Sequence, residues 1–246
     1  MGPALISPEL VERVRSAKNV LALTGAGISA ESGVPTFRDA QTGLWAKYDA
    51  HELATPEAFE RNPRLVWDWY AWRRQLVAQA APNPGHHALV TLEQRLPGFT
   101  LVTQNVDGLH ARAGSRDVVE LHGNIAQDLC FAERTPVDEP APGDSVPPRC
   151  PRCGAFLRPG VVWFGESLPP PALRRAELAA QSCDVVLSIG TSSLVQPAAG
   201  LPLLAKRHGA LLVEVNPAPT PLTPHADQVL TGPAGQLLPE LVALLW

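Results

Sequence analysis

Three polar clusters stand directly after apolar runs, and each has residue types that suit a charged or hydrogen-bonding ligand. Gly25-Ala26-Gly27-Ile28-Ser29-Ala30 follows the apolar stretch 19–24 and fits G-x-G-x-x-G/A. Glycines so spaced allow a tight turn and bring backbone N–H groups against a pyrophosphate at a helix N-terminus, though a plain strand-to-helix turn shares the pattern. Thr103-Gln104-Asn105-Val106-Asp107-Gly108-Leu109-His110 begins where a second apolar run ends. Asn105 and Asp107 could bond a carboxamide or a ribose there; alternatively, Asp107 is an N-cap opening a short helix. Glu120-Leu121-His122-Gly123-Asn124 closes a third run. A histidine at a strand end suits a general base because its pKa lies near neutrality, while a lone histidine also serves as an ordinary structural residue.

The cysteines make a fourth cluster. Cys150-Pro151-Arg152-Cys153 is a C-x-x-C knuckle of the kind that holds Zn²⁺, which takes four ligands in structural sites. Cys130 offers a third thiol, but the position three residues on is Glu133. Carboxylates bind zinc, so a Cys3Glu site and a weakened or lost site are both open readings. Cys183 opens the apolar run 184–189 and reads as a small buried residue.

These clusters need a scaffold. Ser7-Pro8-Glu9 starts a helix over 8–17, Asn62-Pro63 opens a second with Val66, Trp69, Tyr70 and Leu76, and Asn83-Pro84 caps a third that ends near Leu96. Strand-like runs recur at 99–103, 118–121, 161–164, 185–189 and 211–215, with helical stretches at 171–181, 197–207 and 235–246. That alternation predicts an α/β fold, a mostly parallel sheet with helices on both faces. The segments 36–81 and 128–159 break the rhythm. They predict a smaller inserted module, helical in 39–81 and zinc-ribbon-like in 128–159, set into a domain formed by 1–38, 82–127 and 160–246.

The 246 residues suffice for one large domain carrying such an insert. Apolar residues make up 45% and charged residues 18%, which fits a packed core. The formal charge is −4, with no basic block, which argues against nucleic acid as a partner. No apolar run approaches the ~18 residues of a membrane span, and no secretory pattern opens the chain, so no membrane is expected. Four cysteines without an export signal point to reduced thiols or a metal and to a cytoplasmic protein. Oligomeric state stays open, a monomer included.

The whole run from Gly25 through Glu31, Thr36, Phe37 and Arg38 closely resembles the NAD-binding signature of the sirtuins. So do the Gln104–Asp107 cluster, Leu121-His122-Gly123, Phe164-Gly165-Glu166 and Gly190-Thr191-Ser192, in the family's order. The resemblance implies a Rossmann-like domain with a helical and a zinc part, and NAD-dependent removal of acyl groups from protein lysines. It implies that Gly25, Ala26, Gly27, Glu31, Thr36, Phe37 and Arg38 line the dinucleotide and nicotinamide pockets. Gln104, Asn105 and Asp107 would hold the nicotinamide ribose and carboxamide, and Gly190, Thr191, Ser192, Asn216 and Ala234 the adenosine half. His122 would be the general base, assisted by Asn105, and the products would be nicotinamide, O-acyl-ADP-ribose and free lysine. Val162, Trp163, Phe164 and Gly165 would pair with the substrate backbone, and the loop 31–43 would close over the site.

Tyr70-Ala71-Trp72-Arg73 resembles the Tyr-x-x-Arg pair of the class III branch, which prefers succinyl- and malonyl-lysine. Residues three apart share a helix face, where a phenol and a guanidinium could bind a carboxylate. The plainer reading makes Tyr70 core and Arg73 a solvated charge. Two rival functions remain. A mono-ADP-ribosyltransferase would use much of the same pocket, and a non-catalytic NAD-binding regulator would use the small module for docking. An ordinary dehydrogenase is disfavoured, because the region about 20 residues beyond the glycines, Trp45–Glu52, does not read as a strand ending in an acid that could hold a ribose.

Overall fold

The computed structural model describes residues 6–35 and 48–246. Thr36, Phe37 and Arg38, and most of the loop 31–43, lie outside the described residues. Helix α1 (Pro8–Ser16) starts where expected, with the Ser7 hydroxyl accepting the Leu10 amide at 3.1 Å and Pro8 in the first turn. Strand β1 (Val20–Thr24) follows, then a 3-10 turn over Ala26–Ser32 in place of the α-helix that a dinucleotide fingerprint would open. Helices α2 (Ala50–Leu53), α3 (Pro56–Arg61), α4 (Pro63–Gln79) and α5 (Pro84–Arg95) come next. Strand β2 (Phe99–Thr103), the short α6 (Leu109–Ala113) and strand β3 (Val118–Glu120) complete the first half.

The second half contains β4 (Gly123–Cys130), β5 (Leu157–Val161), α7 (Pro170–Ser182), β6 (Val185–Ile189), α8 (Leu201–Arg207), β7 (Leu211–Asn216), β8 (Gln228–Thr231) and α9 (Ala234–Leu245). Six strands form one parallel sheet in the order β3-β2-β1-β6-β7-β8. The order reverses between β1 and β6, the crevice where open α/β sheets bind ligands.

Period-2 geometry sends alternate side chains of the central strands to opposite faces. Val20 and Ala22 of β1, with Val185, Leu187 and Ile189 of β6, pack against α1, α5 and α9. Leu21 and Leu23 join Val186 on the other face against α7 and α8. Both faces are covered, which is why these strands read as unbroken apolar runs.

One expectation needs correction. The run 161–164 is not a strand; the strand there is β5, which ends where that run begins and pairs antiparallel with β4 in a separate two-stranded ribbon. Pro159 and Gly160 hid it. Proline cannot donate to a ladder, but its partner Asp128 is satisfied from elsewhere, since its carbonyl accepts the Val137 amide at 2.9 Å. Strands β4 and β8 went unforeseen for a similar reason: both mix polar and apolar residues without an apolar run. Helices α2–α4 and this ribbon share an apolar cluster that includes Leu53, Phe59, Trp69, Tyr70, Ile125, Val161 and Trp163.

The loops leaving β1 and β6 touch through backbone alone. The Gly27 amide donates to the Gly190 carbonyl at 2.7 Å, and the Gly25 amide to Ile189 at 3.0 Å. A Cβ on Gly190, whose φ is +58°, would stand 2.5 Å from the Ile28 nitrogen. Gly190→Ala is therefore expected to cost roughly 2–5 kcal/mol in urea unfolding, from overpacking added to left-handed strain. Gly209→Ala, at a φ of +95° with open space around it, should cost only about 1–2 kcal/mol. Equal losses at the two positions would refute the packing argument.

Candidate functional site

The carboxyl ends of β1, β2 and β3, the turn after β5 and one face of α4 surround a cavity of about 300 Å³. From the strand ends its wall takes Ala26, Ser29, Gln104, Asn105, Asp107 and His122. From α4 it takes Tyr70 and Arg73, and from the segment after β5 it takes Val162, Trp163, Phe164 and Gly165. Three sequence clusters that lie far apart in the chain thus meet around one space.

Asn105 and Asp107 are buried and tied to a residue that sequence reading had passed over. The Ser29 hydroxyl donates to Asp107 Oδ2 at 2.8 Å and accepts from Asn105 Nδ2 at 3.1 Å. Asp107 Oδ1 accepts the Leu109 amide at 2.9 Å in an Asx-type turn; the N-cap of α6 is Gly108, without a side-chain cap bond, so the N-cap reading of this aspartate is corrected. Burial raises the Asp107 carboxyl above the ordinary carboxylate range, against the pull of those two donors. Behind this set lie two buried imidazoles, His86 and His110, with ring centroids 4.9 Å apart. Burial lowers them to about 4 and about 3, so both are neutral at pH 7. His110 Nε2 meets the Thr24 hydroxyl at 2.9 Å. Their only sequence signal was a histidine within a strand-end cluster and another in a capped first turn.

His122 is half-buried, and its Nδ1 lies 2.9 Å from the Gln104 carbonyl. A carbonyl only accepts, so Nδ1 carries the proton and Nε2 keeps its lone pair. Burial lowers the His122 pKa below the ordinary 6.5, opposed by that hydrogen bond. At neutral pH this imidazole is an unprotonated base with a fixed tautomer.

The adenosine-side candidates gather around Thr191. Gln104 Nε2 donates to its hydroxyl at 3.0 Å and Asn216 Nδ2 to its carbonyl at 3.0 Å, while Ser192 beside it is exposed. Glu31 is placed differently from a pocket-lining residue. Its carboxylate accepts the Gly235 amide at 2.7 Å, next to Ala234, which favours negative charge at the start of α9. The Gly25 and Gly27 amides, expected to face a pyrophosphate, are spent on the loop after β6; those glycines permit close backbone packing instead. The buried Asn105 and Asp107, open to the cavity at the carboxyl end of β2, nonetheless offer an amide donor and a carboxyl acceptor that fit a carboxamide and a ribose.

The segment expected to pair with a peptide strand has its amides largely committed. Val162 donates to the His122 carbonyl at 2.9 Å, Phe164 to Ala54 at 3.0 Å, and Trp163 to Glu166 at 2.8 Å. An added strand would therefore meet this segment through its carbonyls and Gly165.

Tyr70 and Arg73 do face the same cavity rather than solvent. Burial raises the phenol's pKa and lowers that of the guanidinium. Each group holds the other's shift in check.

Cys130, Glu133, Cys150 and Cys153 place their ligand atoms within 4.8 Å of one another, a donor set that could hold zinc. The Glu133 amide donates to Cys130 Sγ at 3.4 Å, as expected for a thiolate knuckle. Arg152 Nε (2.9 Å) and the Thr135 hydroxyl (3.3 Å) both converge on Glu133 Oε2, which leaves Oε1 for a metal.

The model of the Sir2 family matches residues 25–197. An NAD-dependent protein deacylase of Methylococcus capsulatus is 53% identical over 247 residues, covering 97% of each chain. One of Thermus thermophilus is 56% identical over 224 residues, covering 89% of this chain and 87% of the relative. Among solved structures, a Sir2 homologue in complex with NAD superposes with a TM-score of 0.92 at 47% identity, covering 100% of this chain and 96% of that one. A Sir2–p53 peptide–NAD⁺ complex superposes with a TM-score of 0.85 at 30% identity, covering 97% and 98%.

The metal cluster generates a prediction independent of catalysis. Zinc should raise the thermal midpoint of chelator-treated protein, and Cys150→Ser should abolish that rise. Arg152→Ala should weaken zinc roughly 10–100-fold, the usual cost of losing an orienting partner, as read by competition with a colorimetric chelator. Unchanged affinity in that variant would exclude Glu133 as an oriented ligand.

Proposed function

The chain belongs to the Sir2 family, and from that membership we infer that it is an NAD-dependent protein deacylase acting on acyl-lysine side chains. The observation that carries the inference is His122, whose free Nε2 lone pair faces the cavity that also contains Asn105 and Asp107. NAD, when bound, supplies a nicotinamide leaving group and a ribose that accepts the acyl group. Asn105 and Asp107 would hold its carboxamide and ribose, their orientations fixed by Ser29. His122 would take a proton from a ribose hydroxyl at Nε2, and its Nδ1–H stays on the Gln104 carbonyl throughout. Val162, Trp163, Phe164 and Gly165 would position the lysine-bearing strand and keep water from the reacting carbon. The division into a larger NAD-binding domain and a small module of 39–81 and 128–159 belongs to this reading. Its support is the separate apolar cluster under α2–α4 and the ribbon.

For the acyl group, we assign a preference for chains that end in a carboxylate, such as succinyl and malonyl. The support is the buried Tyr70 and the half-buried Arg73, both in the lining of the same cavity. A mass-spectrometric assay of succinyl-, malonyl- and acetyl-lysine peptides, with and without NAD, tests both levels. An ADP-ribosylated protein in place of O-acyl-ADP-ribose would favour transferase activity instead.

Two outcomes are expected. The kcat/KM profile should fall on the acid side with a midpoint below 6.5, because protonation at Nε2 removes the base and burial lowers that pKa. His122→Ala should lose that limb and about 10²–10⁴ in rate; a limb that survives the substitution would mean another base. Arg73→Met should lower desuccinylation at least about 30-fold by leaving a buried carboxylate unpaired, and deacetylation far less. Equal losses on both substrates would remove the acyl-pocket assignment.

A further inference from the structure

Trp163 is held on every side. Its ring lies under the Arg158 guanidinium, 3.5 Å from centroid to Cζ, and Arg158 is only 1% exposed. Arg158 forks onto Glu166, with Nη1 to Oε1 at 2.6 Å and Nη2 to Oε2 at 2.8 Å. Glu166 Oε2 also accepts the Trp163 backbone amide at 2.8 Å, and the Phe59 ring packs 5.4 Å from the indole. An ion pair whose arginine is buried and whose glutamate is half-buried therefore fixes both the backbone and the face of one aromatic residue.

The indole so fixed donates Nε1–H to the Tyr70 hydroxyl at 3.1 Å. Indole is a donor only, and a phenol is both donor and acceptor. Tyr70 must accept from Trp163 and cannot return its own proton along that line. Its O–H is turned away from Trp163, in a cavity whose lining also includes the donor-only guanidinium of Arg73.

We propose that Trp163 is a positioning residue for acyl selectivity, fixing the Tyr70 hydroxyl as a donor so that it and Arg73 together receive the terminal carboxylate of a dicarboxylic acyl-lysine. The proposal rests on the carboxylate-ended acyl reading above. Orientation set in advance spares the bound acyl chain the cost of ordering a free hydroxyl rotor. Arg158 and Glu166 act one step further out, by keeping the indole still.

Spectroscopy and selectivity test it separately. Of the six tryptophans, Trp163 is identified by the indole ¹H–¹⁵N signal lost in Trp163→Phe. That signal should shift upfield and exchange faster in Tyr70→Phe; an unmoved signal would overturn the hydrogen bond whatever the substrate preference. In kinetics, Trp163→Phe should lower the succinyl-to-acetyl ratio of kcat/KM about tenfold, the worth of one hydrogen bond to a charge-binding group, through the succinyl KM rather than kcat. In the Tyr70→Phe background the same substitution should lower the ratio no further. A further fall there would mean that lost indole bulk, and not the hydroxyl, sets selectivity, and would overturn the proposal. Arg73→Met measured alongside reports on the acyl reading itself: an unchanged ratio in that variant overturns the carboxylate assignment, whereas the indole signal is unaffected by that outcome.

Discussion

Everything in the cavity depends on how closely two backbones approach at the switch point of the sheet. The turn after β1 and the turn after β6 meet at Gly27 and Gly190, where a Cβ on Gly27 would stand 2.7 Å from the other residue's Cα. Neither turn has a side chain to spare there, so both are held by main-chain hydrogen bonds and by the parallel pairing of β1 with β6 beneath them. That contact places Ser29 where it can join Asn105 to Asp107, and it places Thr191 where Gln104 and Asn216 reach it. Gly25 and Gly27 act here as contact points between the turns that follow β1 and β6.

Electrostatics then divides the cavity into regions of different character. One region has neutral or acceptor-rich groups, among them an imidazole held neutral by burial and a carboxyl raised by burial. Another has donors, the Tyr70 hydroxyl and the Arg73 guanidinium. Burial opposes charge on both sides, so each group depends on its neighbours for its working state. A ligand that is polar at one place and anionic at another would match this pattern better than an apolar one.

Much of this was legible in the residues themselves, because the parallel sheet writes its strands as short apolar runs and puts its chemistry just after them. The runs ending at Thr24, Thr103 and Glu120 each led to a cavity-lining residue. What stayed hidden had physical reasons. Strand β5 carries Arg158, Pro159 and Gly160, residues that argue against a strand unless the charge is paired and the missing amide is replaced from elsewhere, which only tertiary contacts reveal. Ser29 drew no notice of its own because its importance is a bond to a residue 78 positions away. Arg158 gave one usable signal: a lone charge inside an apolar run is either an error in reading or a buried ion pair. Glu31 shows the same limit, since its bond to the first turn of α9 joins residues 204 positions apart.

The β4–β5 ribbon lies outside the main sheet, flanked by two isolated bridges, Leu129 with Pro136 and Arg149 with Phe156. At one extremity it carries Cys130 of the cysteine–glutamate cluster, and at the other Val161 leads straight into the wall formed by Val162, Trp163 and Phe164. Two strands with no third to brace them take their stiffness from α4, whose Arg74 bonds Ile125, Gln127 and Asp128, and from whatever grips their far tip. The cysteine–glutamate cluster, some distance along the chain from any reacting atom, therefore sets a mechanical boundary condition on the chamber in which the acyl chain would rest.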